Sequence, residues 1–255
     1  MTLTLGGAPL LAYLLASLRI TAWLTLAPPF NTSSVPATVK VVLGLGLSFA
    51  IAPSLAGGSL PSTTPELLLV AVLQVLIGCA MGFVTQLLLG AVMTAGAMLD
   101  TFGGFQLAAA FDPLSMNTNS VFGRFYQLIA TTLLMATSAH LIIIGGLLET
   151  FRYLPLMGIP DISTWPQVFT TAFGLFFSLA VQIALPLVAV LFVTDLGLAL
   201  LTKVAPSFSA INVMYPAKIG LTLLLVGLSF PAIPHAMDKL TDLVNQAVAT
   251  LGGAS

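Results

Sequence analysis

Asp100 and Asp195 close two long apolar runs, and His140 stands inside a third. Carboxylates in such places could hold and release protons in a coupled transporter; solvation of a helix end explains the same placement. His140 and His235 are 95 positions apart without metal-spaced partners. A mid-span histidine most simply hydrogen-bonds from helix to helix. Glu149 and Arg152, three apart, read as a local ion pair at a helix end. Cys79 is the single cysteine. It excludes a disulfide within the chain and a CxxC metal site, and in an apolar run it behaves as a small buried hydrophobe. Serines and threonines are plentiful, but no GxSxG, HExxH or Walker loop organises them. No catalytic residues, metal site or cofactor site are indicated, and an enzyme is not expected.

Two segments are distinctive. At about 100° per residue, Gly78, Gly82, Thr85, Gly96, Ala97 and Asp100 fall on one side of a helix over 67–100. Gly78 and Gly82 form a GxxxG, which lets another backbone approach closely in a membrane. Such a strip serves either helix packing or the lining of a narrow pore. The second segment runs from Asp100 to Arg124, with turn signals at Gly103-Gly104 and Asp112-Pro113 on either side of an apolar patch. Phe102, Phe105, Leu107, Phe111, Leu114, Met116 and Phe122 recur through it. Apolar loops of this size are functional or re-entrant, buried in protein or lining a cavity, and hydrophobic constrictions close pores by dewetting. Simple packing on its own bundle is the alternative.

The elements that hold these residues belong in a membrane. Of 255 residues 58% are hydrophobic and 6% charged, against about 25% charged in a soluble domain. Seven Lys and Arg against eight Asp and Glu leave a net charge of −1, which excludes the basic face of a nucleic-acid binder. No cation precedes Arg19, so the first apolar stretch reads as a retained helix within residues 1–30 rather than a cleaved signal. Arg19 inside it must be paired, snorkel, or face protein or water. Pro28-Pro29 stops this helix, Val35-Pro36 leads into a second that ends at Pro53, and Pro61 and Pro65 introduce a third. The run 67–99 has 33 residues without a charge. As one helix it measures ~50 Å against a hydrocarbon core of ~30 Å, so it either breaks or is covered by protein. Residues 162–194 pose the same problem, with a start set by Trp165-Pro166 and an interruption at Pro186. Residues 125–148 have the length of one span, 219–233 close at Pro231 and Pro234, and 236–251 read as an amphipathic C-terminal helix. The expectation is an all-α integral membrane protein of six to seven hydrophobic helices with Pro/Gly breaks. Lys40, Arg124, Arg152, Lys203, Lys218 and Lys239 scatter over nearly every connection, so the positive-inside rule gives no topology.

The stretch from Arg19 through Pro28-Pro29-Phe30, Val35-Pro36, Lys40 and Pro53 resembles the start of the FliR family of flagellar export-gate membrane proteins. Gly82 to Gln86, Ala95-Gly96, Asp100, Gly104-Phe105 and Phe111-Asp112-Pro113 are similar too. So are His140-Leu141, Thr150-Phe151 with Leu154-Pro155, Leu185-Pro186, and the stretch from Lys203 to Pro206, Asn212, Tyr215-Pro216 and Lys218-Ile219. The family often has Gly where this chain has Ser138-Ala139, and Asn212 falls later after Pro206 than the family pattern. The homologous virulence-secretion family, SctT, shares the architecture, while Phe111-Asp112-Pro113 and the His140 region resemble the flagellar branch.

The resemblance implies a non-enzymatic subunit of the type III protein export gate in the bacterial inner membrane, at the flagellar basal body. One copy, a FliP-like part fused to a FliQ-like part in a single domain over 1–255, would assemble with several FliP and FliQ chains and work with FlhB and FlhA. Unfolded flagellar proteins would pass through the centre. The loop within 100–124 would project into the pore as a plug, with Gly103, Gly104, Phe105, Phe111, Asp112, Pro113 and Met116 as seal and turn residues. Arg19, Pro29, Pro36, Lys40, Pro206, Pro216 and Lys218 would serve structure or partner contact, and membrane lipid would be the remaining partner.

Overall fold

Proline and glycine punctuation decides where each apolar run becomes a helix. The computed structural model describes residues 7–55, 57, 60–105, 120–204 and 215–254. Among them lie eight helices and no strand: α1 Gly7–Leu26, α2 Ala37–Leu55, α3 Thr64–Gly103, α4 Val121–Ala136, α5 Ala139–Tyr153, α6 Trp165–Val204, α7 Tyr215–Ser229 and α8 Ala232–Leu251. Four of them (α1, α2, α3 and α6) are long and apolar enough to cross a membrane, or up to six spans if the bent pairs α4–α5 and α7–α8 each count as one. The chain is an all-α membrane protein.

Several boundaries, though not the first, differ from the sequence expectation. Helix α1 stops at Leu26, as the Pro28-Pro29 break predicts. Pro28 and Pro29 have no N–H to continue the ladder, and the Phe30 and Asn31 amides donate to the Ala27 carbonyl at 3.0 and 3.1 Å. Pro53 lies inside α2, one turn from its end, where little ladder remains to be lost. The run 67–99 does not break: α3 is one helix of 40 residues, about 60 Å long. Its start is fixed by the Glu66 carboxylate, which accepts the Ser62 amide at 2.8 Å and complements the helix dipole. Helix α6 begins at Trp165 as expected, after a turn in which Asp161 accepts the Ser163 amide and hydroxyl. Pro186 does not interrupt it. A proline forgoes one bond, to the carbonyl four residues back, and apolar helices tolerate that loss when neighbours hold the flanking turns.

The expected single span over 125–148 is two helices. Ser138 sits between them at φ 59° and ψ 16°, left-handed backbone that no α-helix continues through. The His140 Nδ1–H donates to the Leu134 carbonyl at 3.1 Å, satisfying one of the acceptors that the end of α4 leaves open. The C-terminal helix starts at Ala232 rather than 236, with Pro234 in its first turn. Its buried residues Ile233, Met237, Leu240, Val244, Val248 and Leu251 recur every three or four positions, the period of one helix face.

Packing resolves the chain into two compact units. Unit one comprises Met1–Leu89, Leu134–Gly174 and Leu240–Ser255; unit two comprises Gly90–Leu133 and Leu175–Lys239. Both 40-residue helices give their first part to unit one and their second part to unit two. In unit one, α3 lies so close to α1 that a Cβ on Gly78 would collide with the Arg19 carbonyl, and one on Gly82 would come within 3.0 Å of the Trp23 carbonyl and Leu26 Cβ. Phe83 meets Phe169 and Phe173 of α6 at centroid distances of 5.9 and 6.1 Å. In unit two, a Cβ on Gly96 would strike the Phe122 carbonyl, and one on Gly103 would reach 2.8 Å from Thr222 Cγ2.

Because these neighbours are mostly backbone, they cannot rotate away. Gly78→Leu and Gly96→Leu are each expected to cost at least the ~1–3 kcal/mol of core overpacking. Thermal unfolding of the detergent-solubilised chain checks this, with Gly174→Leu, a position with nothing within 4 Å, as the substitution that leaves the midpoint in place.

Candidate functional site

Unit two positions both flanks of the Phe-rich segment. Helix α3 ends in a glycine-terminated turn: Gly104 takes φ +84°, and the Phe105 amide donates to the Asp100 carbonyl at 3.2 Å. That six-to-one bond across a left-handed glycine is the Schellman arrangement, and it turns the chain off the helix axis. Phe105 then packs edge-on against Phe122 in the first turn of α4, centroids 4.7 Å apart.

The start of α4 is capped twice. The Ser120 Oγ accepts the Gly123 amide at 2.8 Å, the ordinary N-cap bond. The Asp100 carboxylate, 2% exposed, accepts the Phe122 amide with both oxygens at 3.1 Å and the Ser120 hydroxyl as well. One side chain in the last turn of α3 thereby fixes where α4 begins by holding an amide 22 residues later, with its negative charge at the positive end of the α4 dipole. On the other side, Gly104 lies against the Tyr215 ring and Lys218 of α7. Lys218 Nζ pairs with Asp195 of α6 at 2.8 Å, the one ion pair among the described residues.

The residues of the transporter alternative each have a local partner: Asp100 a helix start, Asp195 the Lys218 ammonium, and His140 the Leu134 carbonyl. Glu149 and Arg152 are both exposed and form no ion pair, correcting the expectation of one. Among the described residues no three His, Cys, Asp or Glu side chains converge on a metal position. The segment assigned to 100–124 is helical at its ends, through Gly103 and from Val121. Phe111, Asp112, Pro113, Met116 and Pro206 lie outside the described residues.

Unit one contains a polar centre that sequence reasoning did not assemble. Arg19 is fully buried, and among the described residues its partners are all neutral. Nε donates to Gln74 Oε1 at 2.7 Å, Nη2 to the Leu154 carbonyl at 3.0 Å, and Nη1 reaches the Thr150 hydroxyl at a long 3.5 Å. The guanidinium also lies 4.1 Å from the centroid of the Phe151 ring, a cation–π contact. Gln74 is held in turn by donating to the Leu156 carbonyl at 2.8 Å. One turn beyond Arg19, the Trp23 indole donates to the Thr85 hydroxyl at 3.2 Å. The signal that could have led here was the Thr150-Phe151 with Leu154-Pro155 motif, of which Thr150, Phe151 and Leu154 meet the guanidinium. Gln74, a lone amide in the first half of an apolar run, was the second clue.

The remaining singled-out residues are peripheral to these centres. Ala97 is half-buried and its carbonyl accepts the Thr101 hydroxyl at 3.1 Å. The Pro28–Pro29 bond is cis, the Pro36 carbonyl accepts the first amides of α2, Lys40 is half-buried, and Pro216 stands exposed in the first turn of α7.

Removing the guanidinium strands an amide oxygen and a backbone carbonyl, and hydrogen bonds to charged groups contribute ~1.5–3 kcal/mol each. Arg19→Ala is expected to lower the unfolding midpoint sharply, and Arg19→Lys to recover only part, because an ammonium cannot fork or stack. Arg19→Met with Gln74→Leu should recover little over Arg19→Met alone, since removing the stranded Gln74 oxygen also takes away the donor to the Leu156 carbonyl and leaves that group unpaired in its place. Scanning fluorimetry of the purified variants reads all four.

The family described as "Bacterial export proteins, family 1" matches residues 10–244. Proteins named "Flagellar biosynthetic protein FliR" are similar over nearly the full length. That of Escherichia coli K12 is 34% identical, covering 92% of this chain and 91% of its own. That of Pectobacterium carotovorum is 30% identical over 92% of each. That of Aquifex aeolicus is 29% identical, over 90% and 89%. With the match running from α1 into α8 and enclosing both centres, the chain belongs to the FliR family of bacterial export proteins.

Proposed function

We propose that the chain is a wall subunit of the flagellar protein export channel. It works without enzymatic chemistry in the inner membrane at the flagellar basal body, among FliP and FliQ and in concert with FlhB and FlhA. One observation carries this reading. Exposed large apolar side chains on α3 run from Leu68 to Phe102, about 51 Å along the helix. Lipid covers about 30 Å, and fitting 51 Å into that thickness takes a tilt of about 54°, outside the ~0–40° range of spanning helices. On α6 the same exposure runs from Phe173 to Val204, about 46 Å. The surplus calls for cover by other protein chains. Family membership and the flagellar names of the relatives supply the direction: the covering chains are fellow subunits of an export assembly.

Within this reading, the segment from Gly103 to Asn119 is the pore plug, and Phe105, Phe111 and Met116 are its seal. Apolar side chains across a narrow opening exclude water and ions without recognising any one sequence, which suits a passage for unfolded chains of varied composition. The Asp100 double cap and the Gly104 turn support it by fixing where the segment leaves and rejoins the helices.

Native mass spectrometry after co-expression with FliP and FliQ from the same genome should give one large complex holding a single copy of this chain. A stable monomer or homodimer that ignores those partners would overturn the assignment. In the assembled complex, replacing residues 105–119 by a short Gly-Ser linker should raise ion conductance in planar bilayers with assembly intact; unchanged conductance removes the plug. Asp100→Ala should raise the leak by loosening one anchor, and Asp100→Asn, which keeps one acceptor oxygen, should raise it less.

A further inference from the structure

Unit two holds a half-open cavity of about 510 Å³ among the second parts of α3 and α6, α4, α7 and the first turns of α8. That volume falls in the ~300–1,000 Å³ range of ligand pockets. Its walls are apolar, with Leu179 and Leu187 from α6, Leu225 from α7 and Ile233 from α8. The Tyr126 and Ser229 hydroxyls in the wall hydrogen-bond each other at 2.7 Å, and the exposed Gln182 gives one of its two amide hydrogens to Ser178 at 2.9 Å. Apart from Gln182 and the groups at the lip, a polar solute entering this space would lose water without finding a free side-chain donor, whereas a hydrocarbon chain loses nothing.

The exposed edge has a different chemistry. His235 and Lys239, four apart on α8 and therefore on one side of it, both line the cavity and are both exposed. Among the described residues no carboxylate lies within ion-pairing distance of Lys239. Its sequence neighbour Asp238, and Asp242 beyond it, do not line the cavity. An apolar chamber with an unpaired cation and an imidazole at its lip matches a molecule with a hydrocarbon tail and an anionic head. Helix α8, amphipathic and carrying these groups on its polar side, is the kind of helix that lies at headgroup depth.

We infer that this cavity binds an anionic phospholipid, with an acyl chain between α6 and α7 and the phosphate held by Lys239 and His235. The site needs only this chain and does not rest on the channel reading.

The test uses the full chain purified in mild detergent, with whatever subunits accompany it, and placed in nanodiscs. The probes are phosphatidylglycerol and phosphatidylcholine bearing a photoreactive acyl chain, with labelled peptides mapped after illumination. The glycerol lipid should label the wall around Leu179 and Leu225 more strongly than the choline lipid. Lys239→Gln should reduce that labelling about fivefold, the contribution of one cation near a membrane surface. Adding His235→Gln should reduce it further, with choline-lipid labelling unchanged. Leu225→Trp, at an unaltered unfolding midpoint, should exclude both lipids. Equal labelling by the two lipids, labelling confined to other helices, or loss of labelling whenever other subunits co-purify would each overturn the inference, the last by making another protein chain the occupant.

Discussion

A buried guanidinium without a carboxylate partner sets the terms for unit one. Moving a full charge out of water is costly, and a single neutral hydrogen bond does not offset it. Arg19 is held by several weak contributions that converge: an amide oxygen from α3, a carbonyl just past the end of α5, a hydroxyl, and the face of an aromatic ring. The Leu154 carbonyl belongs to the C-cap of α5, where the helix dipole presents its negative end to the cation. None of these groups replaces the others, so α1, α3 and the turn after α5 must be in register together. The pairings of α1 with α3 advance in step, Arg19 with Gln74 and Gly78, Trp23 with Gly82 and Thr85. The two helices therefore run in the same direction, and the arginine fixes the register of that parallel pair.

Small residues are what make this register attainable. A guanidinium can reach both an amide on α3 and a carbonyl after α5 only if α1 lies deep against them, and side chains at 78 and 82 would hold it off. The same device recurs in unit two, where Gly96 and Gly103 admit α4 and α7. One face of a 40-residue helix thus serves two separate packing arrangements. Where the first uses a buried cation to fix register, the second uses the Asp100 carboxylate at a helix start. Opposite charges perform the same task, each at the helix end whose dipole it complements.

Much of the architecture was legible in the sequence because apolar runs and their proline and glycine breaks are local signals. The all-α class, the stop after Leu26 and the start at Trp165 follow from them. Prolines inside helices were over-read: Pro53 falls so near the end of α2 that little ladder is lost, and around Pro186 the buried Ala184, Leu187 and Leu191 hold the flanking turns. The break at Ser138 was missed because serine carries no mark of left-handed backbone. The Arg19 centre was out of reach, since its partners lie 55, 131 and 135 positions away and periodicity says nothing about which distant segment comes to meet a given face. Glu149 and Arg152 illustrate the converse: helical spacing permits a pair without enforcing one, and two exposed, hydrated ions gain little by meeting. Of the Phe-rich segment, composition marked the whole, while the anchors at Asp100, Ser120 and Gly104 became assignable only once both flanking helices were placed.

Ser138 carries a consequence for how this chain can drift. Its backbone occupies a conformation that glycine adopts freely and other residues at a cost of roughly 1 kcal/mol. An exchange to glycine there relieves the folded state while enlarging the freedom of the unfolded one, so the two effects largely cancel. Serine and glycine are near-neutral alternatives, whereas a β-branched residue is excluded by sterics alone. The junction between α4 and α5 can therefore wander among glycine, serine and the short amide and acid side chains over evolutionary time, while branched and bulky residues are kept out.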